Sequence, residues 1–174
     1  MMKGMGQPGR KAAGEKGVYL LLFRLRRVVR GPGSHRFPPG LYAYAGSARG
    51  GGGLAARLRR HFNLVRSKTA RWNIDRLTLS RGYRPLGAIV WPGPREGECR
   101  LVRRLQKTAG VRPAAPRFGN HDDRAKIARR GPRRRPCAAH AWIFRGPVRP
   151  AALADALGGA WHPLDFWRRP AGAP

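Results

Sequence analysis

Residues 17–62 read GVYLLLFRLRRVVRGPGSHRFPPGLYAYAGSARGGGGLAARLRRHF, and the succession of patterns within this stretch decides the fold. Residues 17–26 are rich in β-formers on both alternating faces, as in a strand covered on each side. Gly31, Pro32, Gly33, Pro38 and Pro39 form a turn-rich connection. Residues 40–48 predict a second strand, hairpin-paired with the first, in which Tyr42 and Tyr44 share one face and small residues the other. Glycines 50–53 break that strand. Leu54, Leu58, Phe62 and Val65 then recur at helical spacing and predict the first helix.

Working outward, residues 72–79 predict a short second helix and residues 85–91 a third strand, closed by the Pro92-Gly93-Pro94 turn. Residues 96–108 return to helical periodicity, with Leu101, Val102 and Leu105 as the apolar stripe. Residues 139–144, AHAWIF, offer a further strand, and residues 151–157 a short helical pattern before a Pro-rich end. Strands and helices of this kind make an α+β domain. The expected organisation is a flexible tail at 1–16, one domain at 17–145 and a C-terminal extension at 146–174.

Composition narrows the function. The chain has 174 residues, enough for one core and too few for two ordinary domains. Lys plus Arg number 37 against 8 Asp plus Glu, a formal charge of +29. Such an excess repels itself unless a polyanion is at hand, so nucleic acid is the expected partner. Arg, Ala, Gly and Pro are inflated together, which tempers the weight of Arg alone. Residues 1–17 lack the apolar core of a signal peptide, and the longest apolar run, residues 18–23, is far short of a membrane span. A cytoplasmic protein with no membrane partner is the expectation. Its two cysteines, Cys99 and Cys137, make no disulfide framework and read as free thiols. Residues 124–136 hold seven basic residues and no acidic one. That segment reads as a loop able to follow a phosphate backbone or as a solvated basic insertion.

GVY opening the first strand and YAG in the second, followed by helix, strand and helix, resemble the GIY-YIG nuclease superfamily. YAYAGSARGGGGLAARLRRHF, RWNIDRL, ECRL and RFGNHDD are similar to its small Uri-type branch, and the likeness runs over residues 17–144. The resemblance implies a three-stranded antiparallel sheet flanked by helices, and a metal-dependent endonuclease acting on nucleic acid, DNA rather than RNA. The alternative is a nucleic-acid-binding module that keeps the fold without cleavage. Val18 and Ala45 stand where the family has Ile, both tolerable in a strand. A Lys found in many members after the second motif is absent, with Arg49 nearby.

The resemblance also distributes roles. Glu98, on the inward stripe of its helix, becomes the single metal ligand, a hard oxygen donor for Mg²⁺ or Mn²⁺. Arg57 becomes the cation facing the phosphate in the transition state. His61 is four residues on, along the same line of the helix, and reads as a proton-transfer partner or as a packed histidine. Tyr19 and Tyr44 are the motif tyrosines whose hydroxyls meet water or phosphate. An ordinary tyrosine pKa near 10 makes a poor base unless a metal or Arg lowers it. Tyr42 reads as core, and Gly46 as a point of close approach. Arg49, Arg60, Arg129, Arg130, Arg133 and Arg134 are the expected phosphate-contacting residues.

Trp72 and Asp75 fit the narrower branch, and equally a structural helix with one ion pair. Asp122 and Asp123 suit Asx turns or a helix cap better than a second metal. Cys137 and His140, with Cys99 and His121 elsewhere, contain the donors of a zinc site. Only Cys137 and His140 are close in sequence, however, and the spacing matches no recognised finger.

Overall fold

The computed structural model describes residues 15–31, 34–65, 67–93, 97–108, 110–119 and 137–168. The basic segment 124–136 with Arg129, Arg130, Arg133 and Arg134, the His121-Asp122-Asp123 run and nearly all of the tail at 1–16 lie outside the described residues. In chain order the elements are β1 (Gly17–Leu25), β2 (Val29–Arg30), β3 (Arg36–Phe37), β4 (Gly40–Ala48), α1 (Gly53–His61), α2 (Asn73–Thr78) and β5 (Tyr83–Pro92). They continue with α3 (Glu98–Gln106), β6 (Val111–Pro113), β7 (Ala141–Phe144), α4 (Pro150–Leu157), β8 (Ala160–Pro163) and α5 (Leu164–Arg168).

One sheet of six strands runs in the order β6-β7-β4-β1-β5-β8, and every neighbouring pair is antiparallel. The expectation of three strands is corrected: β1, β4 and β5 are the middle of a wider sheet. The added edges are short, and β6 and β8 each end in a proline, Pro113 and Pro163. Proline cannot donate to a ladder and is tolerated at an edge, where three or four residues show no readable alternation. The stretch at 146–174 supplies, through residue 168, the edge strand β8 and two helices, and Trp167 is buried in the core. It is continuous with the sheet.

The sheet is covered on both faces, which is why β1 reads as an unbroken apolar run. Tyr19, Leu21, Phe23 and Leu25 face one way and meet Leu54 and Leu58 of α1, Phe62 just after it, Ile74 and Leu77 of α2, and Trp167. Val18, Leu20 and Leu22 face the other way against Leu101, Val102 and Leu105 of α3 and Leu153, Ala154 and Leu157 of α4. Each such aliphatic side chain contributes about 1.5–3 kcal/mol on burial. The antiparallel register sets Tyr19 opposite Gly46 and Gly17 opposite Pro92, so β1 begins where β4 and β5 end. α1 follows β4 and α3 follows β5. Both therefore start at the same end of the sheet, on opposite faces.

Candidate active-site cleft

A cleft of about 230 Å³ opens at that end. Tyr19, Tyr44, Arg57, His61 and Glu98 all line it, so five residues spread over eighty positions of sequence meet in one place. Arg49 is exposed at its side. Trp72 and His140 complete the wall.

Tyr19 and His61 form the buried floor. Tyr19 Oη and His61 Nε2 are hydrogen-bonded at 2.7 Å, across a sequence separation of 42 residues. The ring of Tyr19 lies over Gly46: a methyl group built on Gly46 would fall on the Tyr19 hydroxyl and Cζ. The glycine of the second motif thus makes room for the tyrosine of the first, a side-chain approach across two paired strands. Gly119 serves the other wall. Its φ of +81° and a Cβ position 2.9 Å from His140 Cβ and 3.3 Å from Tyr44 Cε2 leave no place for a side chain.

Electrostatics keep this floor uncharged. Burial lowers the His61 pKa to about 3, helped by Lys68 and opposed by Asp75. Burial likewise raises the Tyr19 hydroxyl well above its usual range, against the pull of Arg57. Tyr19 therefore holds its proton in the free protein: the lowering expected of neighbouring Arg is outweighed by desolvation. His61 Nδ1 is buried with no hydrogen-bond partner among the described residues. A neutral imidazole has one N–H. On Nδ1 it would be an orphaned buried donor, whereas on Nε2 it donates to Tyr19 and leaves only a lone pair unmatched, the cheaper fault. Assigned in this way, the Tyr19 O–H is left to point into the cleft.

Arg57 and His61 stand one turn apart on α1, whose far end is anchored by Tyr83 Oη donating to the His61 carbonyl at 3.0 Å. The Arg57 guanidinium stacks on Trp72, 4.1 Å from the ring centroid, and Arg60 approaches the same ring at 4.8 Å. Arg60 is otherwise committed: it donates to Asp75 Oδ2 at 3.0 Å and to the Thr69 carbonyl at 2.6 Å.

Asp75 is the hub beneath Trp72. Its fully buried side chain pairs with Arg60 and, at 3.3 Å, with Lys68. It also accepts from the backbone N–H groups of Arg71 and Trp72 at 2.9 and 3.1 Å. Burial alone would raise its pKa, but those two backbone donors, Lys68 and Arg60 more than offset it and hold the carboxyl below its ordinary value. There are two ion pairs where one was expected: Arg60 ties the segment carrying Trp72 to α1, and Lys68 ties it to the connection that follows α1. Tyr42 lies away from the cleft, fully buried, with its hydroxyl donating to the Pro38 carbonyl at 2.5 Å.

Glu98 opens α3 and reaches the cleft from the other face of the sheet, its side chain 18% exposed. Its Oε2 lies 3.9 Å from His140 Nδ1. His140, 2% exposed, stands edge-on to Tyr44, with ring centroids 6.3 Å apart. A single carboxylate among hydroxyls and room for water is a donor set suited to Mg²⁺ or Mn²⁺, which take oxygen ligands and keep several waters.

Fold and site together define an α+β protein with a basic-walled polar cleft, closed at the floor by a neutral Tyr–His pair and carrying one carboxylate. The chain belongs to the family described as domain of unknown function DUF123, whose model matches residues 18–131, more than half of its length. No curated protein and no solved structure matches the chain. Among the described residues no helix is long and apolar enough to cross a membrane.

Proposed function

We propose that the chain is a metal-dependent endonuclease of the GIY-YIG type that hydrolyses phosphodiester bonds of nucleic acid, with DNA as the favoured polymer. The observation that carries this reading is the convergence of Tyr19, Tyr44, Arg57, His61 and Glu98 on one cleft from both faces of the sheet. Hydrolysis of a phosphodiester needs charge stabilisation at the phosphoryl oxygens, a positioned water and help for the leaving oxygen.

Charge stabilisation and the placing of water each have a residue. Arg57, held by Trp72, presents a planar cation suited to phosphate oxygens. Tyr19 keeps its proton and donates into the cleft, toward a phosphoryl oxygen or the attacking water. His61 fixes the direction of that hydroxyl and stays neutral, so its part is orientation. Tyr44, packed edge-on between His61 and His140, lines the path to Glu98. Glu98 would hold the divalent cation, which when bound draws electron density from the phosphoryl oxygens. The net charge of +29 favours association with a polyanion.

The test is cleavage of duplex, branched and single-stranded DNA and of RNA with Mg²⁺, Mn²⁺ or EDTA, beside the Glu98→Gln and Arg57→Ala variants, with binding measured in parallel. The expected result is metal-dependent cutting that is lost in Glu98→Gln while binding persists, and that falls about 10²–10³-fold in Arg57→Ala. Binding of every polymer with no cutting by the wild type would assign the chain instead to nucleic-acid-binding modules.

A further inference from the structure

Cys99 on the first turn of α3, Cys137 before β7 and His140 three residues later place their donor atoms within 4.8 Å of one another. Cys137 and His140 are buried and Cys99 is half-buried. The two sulfurs are 2.9 Å apart, well beyond the about 2.05 Å of a disulfide. The cluster lies beside Glu98, outside the donor set assigned to the hydrolytic cation. Two sulfurs and an imidazole are the wrong chemistry for Mg²⁺ and the right one for a borderline-soft ion.

We propose that Cys99, Cys137 and His140 form a zinc-type metal site that pins the first turn of α3 to the chain entering β7. With metal–sulfur and metal–nitrogen bonds of about 2.3 and 2.0 Å, tetrahedral donors stand roughly 3.5–3.8 Å apart. The present positions need shifts of about an ångström, within the reach of side-chain rotation. A metal-bound imidazole hands its other nitrogen to a carboxylate or carbonyl, and Glu98 is the carboxylate facing His140. Three protein donors leave the fourth position to water.

The consequence is positional. Glu98 precedes Cys99 directly, so one ion would fix the carboxylate of the cleft together with the chain that enters β7. The two cysteines are thirty-eight residues apart in sequence. That separation is why the spacing resembles no finger: the site is assembled by packing α3 against the sheet.

The experiment uses untagged full-length protein purified under reducing conditions. Metal content is measured by mass spectrometry, and the apo protein is titrated with Co²⁺ while its absorption is followed. The expected result is one tightly held zinc per chain and, on cobalt, a thiolate charge-transfer band with the visible spectrum of a tetrahedral site. The Cys99→Ser, Cys137→Ser double variant loses both, whereas Glu98→Gln keeps the charge-transfer band. Reduced wild-type protein that takes up no cobalt, or takes it up without that band, overturns the proposal, as does zinc retained by the double variant. If the double variant fails to fold, the wild-type cobalt spectrum decides alone. None of these readouts depends on cleavage, so the nuclease reading and this site stand or fall separately.

Discussion

Tyr19 Oη and His61 Nε2 meet at 2.7 Å in the floor of the cleft, with Gly46 leaving space for the tyrosine ring. Because both partners are desolvated, the pair is held neutral, and this has a measurable consequence for acid stability.

The folded-state pKa of His61, about 3, lies below the unfolded value near 6.5. Between those values the unfolded chain binds a proton that the folded one refuses. The contribution of His61 is complete above about pH 6.5 and is lost as pH falls toward 3, amounting to roughly 3–5 kcal/mol. Urea unfolding at a series of pH values should show wild-type stability declining over this window, and His61→Gln should remove that part of the decline. An unchanged acid limb in the variant would refute the buried neutral imidazole.

The Gly46–Tyr19 contact predicts strong non-additivity. Gly46→Ala forces a methyl into the Tyr19 ring and should cost about 1–3 kcal/mol, the usual penalty of overpacking. In a Tyr19→Ser background the obstructing ring is gone and the same substitution should cost far less. Chemical denaturation of the four proteins closes the cycle. A coupling near zero would mean that Gly46 serves the backbone and not the tyrosine.

How much of this was legible in sequence follows from the range of each signal. Leu54 and Leu58 announced α1 because helical spacing is local, but Val65, expected on the same stripe, is 38% exposed. The helix ends at His61, and Asn63 at φ +58° turns the chain away. The four residues of β8 carry no alternation and exist as a strand only because β5 offers a free edge. Within the cleft, Tyr19, Tyr44, Arg57, His61 and Glu98 were marked by motif and helical register. Trp72 drew notice with RWNIDRL, yet its place against Arg57 depends on the buried Asp75 network. His140 reaches the cleft only through the β4–β7 register, and its proximity to Cys99 follows from packing that sequence spacing does not encode.

The Asp75 network makes its own prediction. Asp75→Asn preserves shape and an acceptor oxygen but leaves Arg60 and the largely buried Lys68 without their counter-charge. Breaking one side of a buried pair costs about 3–5 kcal/mol. The variant should lose stability of that order in urea titrations, and tryptophan fluorescence should report a loosened Trp72. Asp75→Asn with wild-type stability would show that backbone acceptance from Arg71 and Trp72, and not charge, is what the position supplies.

Arg49 and Arg60 were both expected on the nucleic-acid surface, and their surroundings now separate them. Arg49 is exposed beside the cleft, whereas the Arg60 side chain is only 17% exposed and donates to Asp75 and to the Thr69 carbonyl. Each phosphate neutralised by a cation adds about 0.9 to the magnitude of the slope of log K against log salt on duplex DNA. Arg49→Ala should therefore weaken binding and reduce that slope by about one unit. Arg60→Ala should do the reverse, destabilising the fold while leaving the slope of the folded protein almost unchanged. Binding isotherms over a range of salt concentrations, collected well below each variant's melting temperature, distinguish the two. Equal slope changes would place both guanidinium groups on the phosphate backbone and require Arg60 to leave Asp75 when the polymer binds.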